Sequence, residues 1–220
     1  IELRGHQPLL LTDPGVAWLV ESGNLDILGT RIEDDVPTTQ RRHLFQVPEH
    51  RMIFGVSPDI HTDFFGFMGV STGTAWLISY TIEALEELLL DGDSLAQTLI
   101  GNWVWQLGSA LEITHASPAN IRRTTGDEVV DGGEKDVFAG HTQESVWMRV
   151  TAGEVVAFGL PGLELSEMDG YVLVPPSLWF QVSSETATLE FRSAPEPGDS
   201  GILARALGNF HRLCKLCMLF

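Results

Sequence analysis

The feature that most constrains the fold is a strand–turn–strand pattern that the chain contains twice. The stretch VAWLVESGNLDILG begins at Val16, and the stretch SVWMRVTAGEVVAFG begins at Ser145. In each, a tryptophan within an alternating apolar run is followed five or six residues later by a glycine and then by a second alternating run. Alternation with a period of two is typical of half-buried strands, and the glycine marks a turn. The pattern predicts two antiparallel hairpins, with Trp18 and Trp147 at equivalent positions.

The sequence around the two hairpins repeats as well. DVFAGHTQESVWMRV resembles PLLLTDPGVAWLV, and YVLVPPSLWFQV resembles HLFQVPEHRMIFGV, with Val174-Pro175 set against Val47-Pro48. Matched turns together with matched strands favour an internal repeat, although any two β-hairpins look somewhat alike and the sequence leaves that alternative open. Many short strands separated by turn signals are typical of a sandwich, jelly roll or barrel.

Helical spacing replaces the strand pattern in the middle of the chain, over residues 81–113. Thr81 is a predicted N-cap with Glu83 in the first turn, and Asp91-Gly92 is the predicted end of that helix. Ser94 is the predicted cap of a second helix. The apolar face of this second helix is formed by Leu95, Leu99, Ile100, Trp103, Leu107 and Leu111.

Two tryptophans of the second helix differ in their predicted surroundings. Trp103 belongs to the apolar face, but two helical steps rotate a side chain by about 200°, which places Trp105 on another side. We therefore expect Trp103 in the core between helix and strands. We expect Trp105 against the other β domain or a second chain.

A third helix follows the break Pro195-Glu196-Pro197-Gly198. The residues of its predicted interaction seam, spaced 4-3-4-3 as in a coiled coil or packed helix pair, are Leu203, Leu207, Phe210, Cys214 and Cys217. The chain begins with Ile1 and ends without a helix stop signal, so we expect it to be a piece of a longer protein.

The predicted fold is mainly β with helices: two tandem jelly-roll domains joined by a helical pair and followed by a C-terminal helix. The first β domain is predicted over residues 1–80 and the helical connector over 81–120. The second β domain is predicted over 121–197, and 198–220 begin a helix that leads to the rest of a longer protein.

The charge of the chain excludes one large class of partners. Its formal net charge is −17, and no Lys or Arg occurs between Arg51 and Arg122. Such a surface repels phosphate backbones, so nucleic-acid binding is not expected. The uncharged stretch from Phe64 to Ile82 is long enough to suggest a membrane span, but its glycines and Ser/Thr residues favour two short strands instead.

Several common motifs of catalysis and metal binding are absent from the sequence. It has no G-x-x-x-x-G-K-[ST], no G-x-G-x-x-G after a strand and no H-E-x-x-H. The histidines form no close ligand pair, Cys214 and Cys217 alone would half-fill a zinc site, and His61-Thr62-Asp63 has no recognisable nucleophile beside it. We therefore expect no catalytic residue, no cofactor and no metal, and expect both cysteines to pack as small hydrophobes.

A jelly roll followed by a helical pair resembles a cyclic-nucleotide-binding domain. In that family an F-G-E-like segment holds the phosphate at a short helix N-terminus, and an arginine neutralises it. The corresponding residues here are Arg51, Phe54, Gly55 and Ser57. Val56 replaces the acid, and no arginine follows before residue 122, so a buried phosphate would face Asp59 and Asp63 without a cation. The resemblance implies a retained fold with a degenerate nucleotide pocket that binds neither cAMP nor cGMP with useful affinity.

A second resemblance extends along almost the whole chain. Six blocks of the sequence carry it, and they occur in the order PLLLTDPGVAWLVESGNLDIL, RRHLFQV, MIFGV, VWMRVTAGEVVAFG, LVPPSLWFQV and LGNFHRLC. In this order they are similar to the N-terminal cytoplasmic region of the permease–ATPase subunit in NHLP/NHLM-type bacteriocin export, a family of bacterial ABC transporters. In that family a six-helix transmembrane domain and a nucleotide-binding domain follow, and a partner subunit holds the leader peptidase. The resemblance implies a location on the cytoplasmic side of the bacterial inner membrane, a homodimer, and membrane contact only through the full-length protein.

Three functional hypotheses follow from these patterns. The first is a non-catalytic accessory region of a peptide exporter that contacts leader peptide, partner subunit or transporter core. The alternative is a sensor that binds a small effector in the first β domain. A cupin-like enzyme is the least favoured, because metal ligands are missing from the sequence.

Overall fold

The structure, a computed structural model, describes residues 1–5, 7–38, 40–58, 62–112, 117–124, 126–196 and 200–219. The chain divides into two compact units. The first comprises Ile1–Trp103 with Leu219–Phe220, and the second comprises Val104–Met218. The division falls within the second helix, whereas the domain bounds predicted from the sequence lie at residues 80 and 120.

The first unit is built from two antiparallel sheets of short strands. Its strands are β1 Glu2–Arg4, β2 Leu9–Leu10, β3 Val16–Ser22, β4 Leu25–Glu33, β5 Val36–Pro37, β6 Arg42–Val47, β7 Met52–Phe54, β8 Phe65–Val70 and β9 Thr74–Thr81. One sheet has the order β1-β9-β3-β7. The other has the order β2-β8-β4-β5, and β6 also pairs with β4.

The second unit has the same two-sheet plan. Its strands are β10 Arg122–Arg123, β11 Glu128–Gly133, β12 Val137–Ala139, β13 Val146–Ala152, β14 Glu154–Ala157, β15 Glu164–Ser166, β16 Val172–Val174, β17 Trp179–Val182 and β18 Thr186–Arg192. One sheet has the order β11-β18-β13-β16, and the other has the order β10-β12-β17-β14-β15.

Strand pairing is repeated between the two units. Strand β3 pairs with β7 and β9, as β13 pairs with β16 and β18. Strand β4 pairs with β6 and β8, as β14 pairs with β15 and β17. The register of β3 shifts just before Gly23, and that of β13 just before Gly153. Both glycines have positive φ, 84° and 76°, which explains why the turn of each repeated hairpin requires glycine. The fold is mainly β, with two jelly-roll-like units and a C-terminal helix.

Two of the residue matches predicted from the sequence repeat are not equivalent positions in the structure. Val47 is the last residue of β6, whereas Val174 is the last residue of β16, and the counterpart of β16 in the first unit is β7. Trp18 and Trp147 lie on equivalent strands but one position apart, because their distances to the turn glycine differ by one residue. A match of short apolar strands made from the sequence alone can be wrong by one residue, and the pairing of the strands in the structure shows which residues are equivalent.

The two helices that follow β9 begin and end close to their predicted bounds. Helix α1 spans Ile82–Leu90, and the Thr81 hydroxyl accepts a hydrogen bond from the Ala84 N–H at 3.2 Å, which confirms the predicted cap. Helix α2 spans Ser94–Glu112. Its first turn is capped by Asp93, whose carboxylate accepts the Ala96 N–H at 2.8 Å, and not by Ser94. A carboxylate at this position also interacts favourably with the helix dipole.

Trp103 of α2 is the largest fully buried side chain of the first unit. Its ring contacts those of Phe45, Phe54 and Phe67, with centroid separations of 5.7, 6.0 and 6.5 Å. The predicted core position of Trp103 is therefore confirmed. Trp105 is 51% exposed, and Leu95, predicted on the apolar face, is 64% exposed in the first turn of the helix.

Helix α3 spans Ile202–Leu219. All of its predicted seam residues are buried in the chain itself: Leu203, Leu207, Phe210, Cys214 and Cys217. Polar contacts fix the helix within the second unit, because the Asn209 amide donates to the carbonyls of Asp169 and Tyr171 at 2.6 and 3.0 Å. Within the described residues, no helix combines the length and apolar character needed to cross a membrane.

Candidate functional site

The predicted pocket region of the first unit begins with two residues that the fold itself requires. Phe54 ends β7 and is fully buried against Trp103. A Cβ at Gly55 would lie 1.6 Å from the carbonyl oxygen of Asp13, so no side chain fits at this position. The Gly55 N–H donates to the carbonyl of Val16 at 2.9 Å. Close backbone contact therefore explains the Phe-Gly pair without reference to a ligand.

The two polar residues of the predicted region lie apart from each other. Arg51 precedes β7, and its carbonyl accepts the Val20 N–H at 2.9 Å. Ser57 follows the opposite end of the strand, is exposed, and its hydroxyl donates to the neighbouring Pro58 carbonyl at 3.5 Å. Strand β7 thus separates the two side chains and does not bring them into one site.

The connection from β7 to β8 is where the two units differ most. Ten residues, Gly55 to Phe64, join these strands in the first unit, whereas four, Pro175 to Leu178, join β16 to β17 in the second. The longer connection ends with Asp63 and Phe64 in consecutive left-handed conformations, with φ of 48° and 52°. A non-glycine residue in this conformation costs about 1–2 kcal/mol. Strain of this kind is concentrated at functional sites.

The guanidinium of Arg31, a residue of β4, lies beside this connection. Strand β4 pairs with β8, and this places Arg31 opposite Phe65. Its guanidinium lies 2.6 Å from the Glu33 carboxylate, 3.4 Å from the Asp63 carboxylate and 5.8 Å from the centroid of the Phe64 ring. The guanidinium therefore contacts both strained residues. We name this group, Arg31, Glu33, Asp63 and Phe64, the Arg31 cluster.

The prediction that this region lacks a cation was wrong for a specific reason. The prediction was based on the absence of arginine after Gly55 in the sequence. Arg31 precedes Gly55 and reaches the connection through the pairing of β4 with β8. The sequence signal was limited to a charged residue within the alternating run LDILGTRIE, which does not reveal the neighbouring strand. Asp59 and His61 lie outside the described residues.

The charges of the Arg31 cluster determine which ligands it favours. One guanidinium is shared between two carboxylates, and all three side chains are between 36% and 61% exposed. A phosphate would have to compete with both carboxylates for Arg31 and would be repelled by them. The cluster therefore suits an uncharged or cationic group better than a phosphate.

The two cysteines of α3 show no reactive character. Burial, followed by the nearby Cys217 thiol, raises the pKa of Cys214 well above its ordinary value. Burial raises the pKa of Cys217 to about 12. Neither cysteine forms a disulfide and both thiols remain protonated, so they are poor nucleophiles and poor metal ligands. Over the part of the chain that the structure describes, His, Cys, Asp and Glu form no group of three or more that could hold a metal ion.

Comparisons with known proteins identify no family. No protein-family model matches this chain, and no curated protein matches its sequence. The regulatory domain of Toxoplasma gondii PKA with cAMP is 11% identical with a TM-score of 0.24, covering 97% of this chain and 81% of that one. A regulatory subunit of a cAMP-independent protein kinase A from Trypanosoma cruzi, bound to guanosine, is 8% identical with a TM-score of 0.29, covering 97% and 75%.

A third solved structure has a similarly low identity and TM-score. A regulatory subunit of a cAMP-independent protein kinase A from Trypanosoma brucei is 10% identical with a TM-score of 0.24, covering 96% of this chain and 74% of that one. These neighbours are regulatory proteins. Likeness at this level does not indicate what this chain binds.

Proposed function

We propose that this chain is a non-catalytic regulatory region whose first unit binds a small effector beside the β7–β8 connection. One observation is the main support for this proposal. The two units share one pattern of strand pairing, but only the first has a long, strained β7–β8 connection with a guanidinium in contact with it. When two copies of a fold differ in this way, the elaborated connection is the better candidate for binding, because loops on a rigid scaffold provide binding residues.

The chemistry of the effector follows from the Arg31 cluster. Exposed carboxylate oxygens of Glu33 and Asp63 accept hydrogen bonds, and the half-buried Phe64 ring offers a face for stacking. These groups match an uncharged or cationic molecule with hydrogen-bond donors and a planar apolar part. They do not match cAMP or cGMP, whose phosphates are anionic.

Calorimetry and thermal shift with defined probes test this proposal. The probes are adenosine and guanosine as uncharged molecules, agmatine as a cation, and cAMP and cGMP as anions. We expect at least one of the first three to raise the unfolding midpoint and the cyclic nucleotides to leave it unchanged. Stabilisation by either cyclic nucleotide at micromolar concentration would contradict the assigned ligand class.

A pair of matched variants locates the binding. Arg31→Gln removes the guanidinium from the Phe64 ring, and Arg122→Gln removes an arginine–ring contact of similar distance elsewhere in the second unit, where Arg122 lies 5.7 Å from the Phe138 ring centroid. Arg31 holds the Glu33 and Asp63 carboxylates and the Phe64 ring in place, so we expect Arg31→Gln to abolish the response to the active probe and Arg122→Gln to retain it. No response to any of the three probes, or the same response in both variants, rejects the site.

The second candidate function is the accessory region of a bacterial peptide exporter. If the chain has this function, the contact surface of helix α3 is not the predicted seam. Its seam is already buried, so a partner subunit, a leader peptide or the transporter core would meet the exposed residues Ala204, Arg205 and Gly208. In a full-length exporter we expect Ala204→Glu to impair export without lowering the unfolding midpoint, and Thr98→Glu, at an exposed position of α2, to have no effect. Normal export by Ala204→Glu would reject contact through this side of the helix.

A further inference from the structure

The first sheet of the second unit has a group of charged side chains on one face. Arg149 of β13 and Glu190 of β18 are direct cross-strand partners, and Arg192 lies two residues further along β18. The guanidinium of Arg149 lies 5.0 Å from the centroid of the Tyr171 ring. Glu196 follows on the segment after β18. We name these five residues the Arg149 cluster.

Glu190 holds the two arginines in place. Its side chain is 6% exposed, and it accepts hydrogen bonds from the Nε atoms of Arg149 and Arg192, the latter at 2.7 Å. Burial alone would raise the pKa of Glu190, but the hydrogen bonds from both guanidiniums outweigh burial and lower it. The carboxylate is therefore ionised and fixes two guanidiniums side by side.

Glu196 occupies the outward side of the two arginines. Its Oε1 lies 2.9 Å from Nη2 of Arg192, and its Oε2 lies 3.6 Å from Nη2 of Arg149. The side chain is 52% exposed, in contrast to Glu190, so solvent reaches it readily. One carboxylate thus bridges two guanidiniums from the solvent side, and it belongs to a segment outside the sheet.

Tyr171 adds an unused hydrogen-bonding group next to these charges. The residue is 6% exposed, and its hydroxyl oxygen is buried without a hydrogen-bond partner among the groups that the structure describes. Burial raises the pKa of Tyr171, so its hydroxyl stays protonated and can donate. A buried, unpaired hydroxyl is unfavourable, and native structures rarely keep one without a reason.

We propose that the Arg149 cluster is a binding site for a carboxylate-bearing ligand, and that Glu196 occupies it as an internal substitute until the ligand displaces it. The incoming carboxylate takes the bridging position between Arg149 and Arg192, and the Tyr171 hydroxyl donates to it or to a neighbouring group of the ligand. Without Glu196, two guanidiniums and one carboxylate leave the site with a net positive charge. This site lies in the second unit and is independent of the proposed effector site in the first.

Removing the internal substitute tests the proposal. An internal competitor weakens the apparent affinity by the reciprocal of the fraction of molecules in which the site is free. We therefore expect Glu196→Gln to bind succinate at least about tenfold more tightly than the parent, as measured by calorimetry at fixed low salt. The matched control is Glu134→Gln, which removes another exposed carboxylate that faces a cation, Lys135, at 4.0 Å. It should bind succinate no better than the parent.

Inorganic phosphate serves as the second probe and defines the ligand class. We expect a smaller gain for phosphate than for succinate, because the bridging geometry matches the two oxygens of one carboxylate. Equal affinity of parent and Glu196→Gln for succinate rejects the site, and a gain for phosphate alone rejects the assigned class. Addition of Arg192→Gln to Glu196→Gln should abolish the gain, and its persistence would also reject the site.

Tyr171→Phe separates a binding role of the hydroxyl from a structural one. Because the hydroxyl has no partner among the described groups, its removal should leave the unfolding midpoint unchanged or higher. In the Glu196→Gln background, the same change should weaken succinate binding at least about threefold, since a hydrogen bond to a charged group is lost. A lower midpoint, or unchanged binding, would contradict the role assigned to Tyr171.

Discussion

A Trp103→Ala variant should lose about 3–5 kcal/mol of unfolding free energy, which is the usual cost of truncating a fully buried aromatic side chain to alanine. The indole is completely buried and contacts three phenylalanine rings, so its removal leaves a cavity that the surrounding rings cannot fill. Equilibrium denaturation in urea gives this difference directly.

Trp105→Ala is the matched control for this prediction. The two tryptophans are in the same helix, but Trp105 is 51% exposed and leaves no closed cavity when truncated. We expect its loss to stay below about 1 kcal/mol, as for a half-exposed position away from special backbone features. Equal losses in the two variants would show that Trp103 does not occupy the centre of the first core.

The elements of this fold with local signals could be predicted from the sequence. The Thr81 cap is defined by a side chain and a backbone group three residues apart, and each repeated hairpin by apolar alternation around a glycine turn. The cap of α2 was assigned one residue too late, because Asp93 and Ser94 are both good capping residues and sequence spacing alone does not choose between them.

Residues brought together by strand pairing could not be predicted in the same way. Arg31 meets Asp63 and Phe64 because β4 pairs with β8, and Arg149 meets Glu190 because β13 pairs with β18. The energy of such contacts depends on register, and a shift of one residue would turn each side chain to the opposite face. The candidate sites therefore emerged from the structure, whereas the Phe54-Gly55 pair, the clearest motif in sequence, has a purely structural explanation in the close approach of Asp13.

Acidification below pH 6.5 should destabilise the protein through one histidine of α3. His211 is 4% exposed, and burial, followed by the nearby Lys215 ammonium, lowers its pKa from 6.5 to about 3. Between these two values the unfolded chain binds a proton that the folded chain does not, so folding stability falls as the pH falls. The loss begins near pH 6.5, and from the two pKa values it reaches about 2 kcal/mol at pH 5.

Two variants separate this effect from other titrations. Glutamine cannot take up the proton, so His211→Gln should be less stable than the parent at pH 7.5 but should lose about 2 kcal/mol less between pH 7.5 and pH 5. Leu213→Val, a buried change in the same helix that alters no titrating group, should lower the free energy of unfolding at both pH values and keep the pH dependence of the parent. Carboxylates titrate mainly below pH 5. The difference between the two variants in how the free energy of unfolding changes with pH therefore reports the protonation of the buried His211 imidazole. Parallel curves for His211→Gln and the parent from pH 7.5 to 5 would mean that the folded chain protonates His211 as readily as the unfolded chain does.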